Sequence, residues 1–135
     1  MKARVAVAGL LGLATALYGR SVWDGVYTQA QAERGEEQFA QECASCHSED
    51  LAGNGFAPPL AGPEFREKWK KESVGRLFER LRTTMPDGNP GGLSLPAYVD
   101  ITAYILSINK FPAGSQPLDE DIETLNGIRF EASPK

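Results

Sequence analysis

Residues 42–50 read ECASCHSED, and the chain's two cysteines and its single histidine all fall within them, as Cys43, Cys46 and His47. Apart from two methionines, these are all the soft metal ligands the protein has. Three chemistries use such a cluster. A structural zinc site needs four ligands drawn from Cys, His and carboxylates. Only three are at hand here, and adjacent Cys46 and His47 would strain a tetrahedron. A redox-active C-x-x-C sits at a helix N-terminus after a strand, whereas this one follows a helical pattern. Covalent haem attachment uses C-x-x-C-H: two thiols add to the two vinyl groups on one porphyrin edge, and the histidine directly after them turns to the iron. The third chemistry uses all three residues and explains their spacing.

Iron held at His47 has a sixth position to fill. With no second histidine, bis-histidine ligation is excluded. Met1 begins an export segment and would leave with it, so Met85, 38 residues after His47, is the thioether of the exported chain. A lone methionine is ordinarily core filler, but Met85 stands at a polar helix-to-loop junction, TTMPDG, beside Pro86. It is therefore read as the second axial ligand. With both positions filled, the iron exchanges electrons with little rearrangement, and a neutral soft methionine raises its potential. The alternative is a haem-based ligand sensor or peroxidase-like enzyme with a displaceable methionine. Against it, the chain has no distal histidine, and Arg82 is the one arginine close to Met85 in sequence.

A chain of 135 residues is most simply one domain. MKAR followed by the charge-free run VAVAGLLGLATALY has the form of a signal peptide, residues 1–20. Fourteen apolar residues are short of the ~20 that span a bilayer. A retained N-terminal anchor stays open, because the cleavage site is poorly marked. The expected location is periplasmic, with membrane contact only through a retained N-terminus. Losing Lys2, Arg4 and Arg20 would leave 11 Lys and Arg against 18 Asp and Glu, formally −7. That charge disfavours nucleic acid, whose phosphates need clustered cations, and suits a basic partner surface.

Helices are expected over QAQAERGEEQFAQEC after Thr28, over PEFREKWKK from Pro63, over VGRLFERLRTT after Ser73 and over PAYVDITAYILSIN after Ser94. Residues 48–62 read as loop, no strand pattern stands out, and the acidic run LDEDIE reads as solvated surface. The fold class is all-α, with about four short helices around one covalently bound haem. A domain over 21–109 is followed by an extension over 110–135.

Over residues 27–110 the chain resembles the class I c-type cytochromes. Gly35 and Phe39 stand eight and four residues before Cys43, as in that family's N-terminal helix, and Ile101 and Tyr104 match its C-terminal helix. The resemblance implies that these helices cross closely at the glycine, with the two aromatics packed at the crossing. APPLAG resembles the loop after the haem motif, which implies that the Pro58 carbonyl takes the His47 Nδ1 proton and that Leu60 packs on the haem ring. Trp69 is similar to a tryptophan near the propionates, and on its own residues it reads equally as a core aromatic facing inward with Phe65. The ends, VWDGVYTQAQAERG and NKFPAGSQPL, are similar to cytochrome c subunits and domains that accept electrons from bacterial quinoprotein (PQQ) dehydrogenases. The implied function is an electron carrier, not an enzyme. It would take electrons from such a dehydrogenase and pass them to a respiratory oxidase or another cytochrome.

Overall fold

The computed structural model describes residues 20–135; the expected signal peptide, residues 1–20, lies outside them except for Arg20. Helix α1 spans Gln29–Glu42, α2 Ala44–His47, α3 Gly62–Trp69, α4 Val74–Thr84, α5 Leu95–Ile108 and α6 Ile122–Asn126. Two-residue strands β1 (Arg20–Ser21) and β2 (Ile128–Arg129) pair in parallel. The all-α expectation holds. The helix number differs because α2 is the cysteine motif itself and α6 lies in the tail. None of these helices is long and apolar enough to cross a membrane.

Local chemistry sets the helix starts. Thr28 and Gln31 form a reciprocal capping box at α1. The side chains of Ser73 and Ser94 accept the N–H of Arg76 and Ala97 at α4 and α5. Helices α1 and α5 then cross at Gly35, where a methyl group would lie 1.9 Å from the Asp100 carbonyl oxygen and 2.8 Å from Tyr104 Cβ. Only glycine fits there. Phe39 and Tyr104 pack beside the crossing with ring centroids 5.5 Å apart. Arg34 grips Asp100 in a two-point ion pair at 2.8 and 2.9 Å.

The stretch 110–135 is tied into the same core. Phe111, Leu118, Leu125, Ile128 and Phe130 are buried, each contributing about 1.5–3 kcal/mol relative to exposure. The buried Gln31 amide accepts the N–H of Leu118 at 2.7 Å and donates to its carbonyl at 3.0 Å. The run LDEDIE is thus only partly solvated. Leu118 enters the core, and Asp121 caps α6 by accepting the N–H of Thr124. Trp23 donates its indole N–H to the Glu131 carbonyl at 2.8 Å, joining the lead-in to the tail.

Candidate functional site

Helix α1 ends at Cys43, whose carbonyl accepts the N–H of both Cys46 and His47, at 3.2 and 2.9 Å. The motif is therefore one turn hung from a single oxygen, which puts both sulfurs and the imidazole within one short arc. Both thiols are free, Cys43 half-buried and Cys46 exposed. Burial first, then the charges of Glu42 and Cys46, pushes the Cys43 thiol up to about 11. At neutral pH it stays protonated, and a thioether, which has no proton to lose, carries no such penalty.

His47 is buried, and its Nδ1 lies 2.9 Å from the Pro58 carbonyl oxygen. A carbonyl can only accept, so the proton sits on Nδ1 and the Nε2 lone pair is left free. The loop that brings Pro58 back is built from its own backbone. Gly53 N–H donates to the His47 carbonyl at 2.9 Å, and Leu60 N–H donates to the Leu51 carbonyl at 2.8 Å. Gly53 has φ +76°, and a side chain there would lie 2.4 Å from the Ala57 oxygen, so the turn needs glycine.

Met85 caps the C-terminus of α4, its N–H donating to the Leu81 carbonyl at 3.0 Å. Its own carbonyl accepts the Tyr98 hydroxyl at 2.6 Å and the Gly91 N–H at 3.3 Å. Tyr98, buried on α5, thus fixes where Met85 stands. Nothing in its sequence neighbourhood singles Tyr98 out, since α5 also carries Thr102, Tyr104 and Ser107. Asn109 was equally silent. Its amide donates to the carbonyls of Leu60 and Ile105 and accepts the Gly62 N–H, fastening the loop to the end of α5.

Cys43, Cys46, His47 and Met85 all line one cavity of about 410 Å³, walled by Phe39, Pro58, Leu60, Leu81 and Ile101. That volume lies within the roughly 300–1,000 Å³ of cofactor pockets. The donor set suits a haem: two sulfurs on one turn, an imidazole with its second nitrogen engaged, a thioether on a separate helix end and apolar walls. Among the described residues no three His, Cys, Asp or Glu side chains gather into a metal-ion cluster. Gly35 and Tyr104 act at the helix crossing rather than on the cavity wall. Trp69 stands apart from the cavity, buried against Phe65 and Phe130 with ring centroids 6.1 and 6.2 Å away.

Residues 30–105 match the family described as cytochrome c oxidase, cbb3-type, subunit III. The chain is similar to cytochrome c-551 of Bacillus subtilis (strain 168), 33% identical over 67 residues, which are 47% of this chain and 54% of that protein. It thus spans about half the length of that relative. In fold it is similar to a chain in the crystal structure of the sulfane dehydrogenase SoxCD from Paracoccus pantotrophus. The TM-score is 0.54 at 20% identity, covering 80% of this chain and 61% of the other.

Proposed function

The chain belongs to that family and is a monohaem class I c-type cytochrome, and from this premise we propose that it carries single electrons between redox proteins in the periplasm. Cys43 and Cys46 would carry the covalent attachment of the haem, and His47 and Met85 would hold its iron. The haem c that such a cytochrome holds covalently supplies reversible one-electron exchange at its iron. The protein's part is to hold that group still and dry. His47 is aimed by Pro58, and Met85 is held through its backbone by Tyr98 and Gly91. The apolar walls disfavour the extra positive charge of the ferric state. With His47 and Met85 both on the iron, no position would be left for a substrate, which suits a carrier rather than an enzyme. Its donor is a dehydrogenase and its acceptor an oxidase or another cytochrome, and the apolar run before residue 20 would hold it at the membrane if retained.

The observation that carries the reading is the convergence of all four residues on one apolar cavity, with the Nδ1 side of His47 already engaged. Its test is Met85→Ala. In the oxidised variant the weak far-red sulfur-to-iron absorption band should vanish. The reduction potential should fall by about 0.1 V or more, out of the roughly 0.8 V that axial ligation spans, and carbon monoxide should bind the reduced variant. An unchanged band and potential would remove Met85 from the iron. Fast carbon monoxide binding by the native protein at neutral pH would bring the sensor or peroxidase-like reading forward instead.

A further inference from the structure

Charge is unevenly placed along this chain. From residue 35 to residue 65 every charged side chain is acidic: Glu36, Glu37, Glu42, Glu49, Asp50 and Glu64. This is the stretch that carries the cysteine turn and the loop back to Pro58. Cations instead crowd residues 66–82, where Lys68, Arg76 and Arg80 line a separate groove beside Trp69. At the cavity itself the charged lining residues are Glu42 and Asp87, both exposed, with no Lys or Arg among them. Arg82, three residues before Met85, is held in a two-point pair with Glu79 at 2.8 and 3.0 Å. The cavity opens through a negative rim.

Within that rim stands Phe56, 102% exposed. Its position is not loose. The Asn54 side-chain oxygen accepts the N–H of Phe56 at 3.3 Å and of Ala57 at 3.1 Å, and the Asn54 N–H donates to the Ala57 carbonyl at 3.3 Å. A closed turn thus presents an exposed aromatic ring at the mouth of the cavity that the exposed Cys46 also lines, where electrons would enter or leave. Aromatic side chains at the centre of a contact, ringed by polar groups, are typical binding anchors, and a pre-formed turn reduces the ordering cost of using one.

We propose that this mouth docks a basic one-electron redox protein, with Phe56 as the anchor and Glu42 and Asp87 as the steering charges. The inference rests on the electron-transfer reading above and adds to it the sign and the centre of the contact. A second copy of this chain presents the same negative rim and is repelled. One electron leaves the partner's reduced centre and is taken up at the haem. The partner is oxidised and this protein reduced, while no bond or proton changes place.

The test uses the holoprotein and, as probe, a reduced lysine-rich mitochondrial cytochrome c followed by stopped-flow. A small neutral or cationic mediator is run in parallel. The second-order rate with the basic protein should fall steeply as salt rises, because screening sets in over about 8–10 Å at 0.10–0.15 M. Phe56→Ala should slow it roughly five- to tenfold with the potential and the far-red band unchanged. Glu42→Gln with Asp87→Asn should flatten the salt dependence. A rate that rises with salt, or an unaltered rate in Phe56→Ala, overturns the proposal. So does a shifted potential in that variant, which would place the ring in the haem pocket instead. If the mediator exchanges electrons normally while the basic protein does not, docking alone is refuted. If neither does, the carrier reading falls with it.

Discussion

Around the cavity, Phe39, Leu60, Leu81 and Ile101 face a space they do not fill. Around the chain ends, Trp23, Phe65, Trp69, Phe111 and Phe130 fill theirs with one another. Trp23 meets Phe111 at 4.9 Å, Phe111 meets Phe130 at 5.8 Å, and Phe130 meets Phe65 at 6.0 Å, each edge to face. One region is completed by residues from distant parts of the chain, the other by its cofactor. The cavity region should therefore depend on haem, and the terminal region should not.

The strongest attempt to break that contrast is Cys43→Ala with Cys46→Ala. Covalent haem should be lost outright, seen as loss of haem staining on a denaturing gel. Amide exchange should then quicken by orders of magnitude in α2 and the 48–60 loop, while α6 and its neighbours stay protected. Equal loss of protection in both regions would show a single cooperative unit and sink the contrast. Next comes Phe130→Ala, which removes the ring that touches Phe65, Trp69 and Phe111. It should cost about 3–5 kcal/mol in denaturant unfolding and leave the haem spectrum as it was. A spectral change would mean that the two regions communicate. The smallest effect is expected from Tyr98→Phe. Removing one hydroxyl from the Met85 carbonyl should cost about 1 kcal/mol, and the far-red band should be lost at a lower temperature than in the native protein. Unfolding at lower temperature with no earlier loss of the band would make Tyr98 structural only.

What the sequence disclosed follows the same division. Helix α4 was legible to the residue, because Ser73 caps it and Val74, Leu77, Phe78 and Leu81 repeat at helical spacing within one short window. The cysteine turn was legible because its chemistry is confined to five positions. Trp69 was not, because a tryptophan's local neighbours do not say which distant ring it will meet. Phe130 lies about sixty residues further along. Tyr98 and Asn109 stayed hidden for a related reason. Their roles are hydrogen bonds to backbone carbonyls of Met85 and Leu60, and any residue type has a carbonyl to offer. Strands β1 and β2 carry too few residues for any alternation to show.

Those two strands bring Arg20 against Ile128, so the chain between them is nearly a closed ring with a two-residue clasp. Loop-closure entropy grows slowly, by about 0.6 kcal/mol for each doubling of length, and so the size of the ring adds little to the cost of shutting it. Order in time is another matter. A chain synthesised from its N-terminus offers Arg20 and Trp23 long before their partners, Ile128 and Glu131, which lie 108 residues further along. Until those partners arrive, the first described strand has nothing to pair with and the Trp23 indole nothing to donate to. The clasp can shut only after every helix between its two halves has been made.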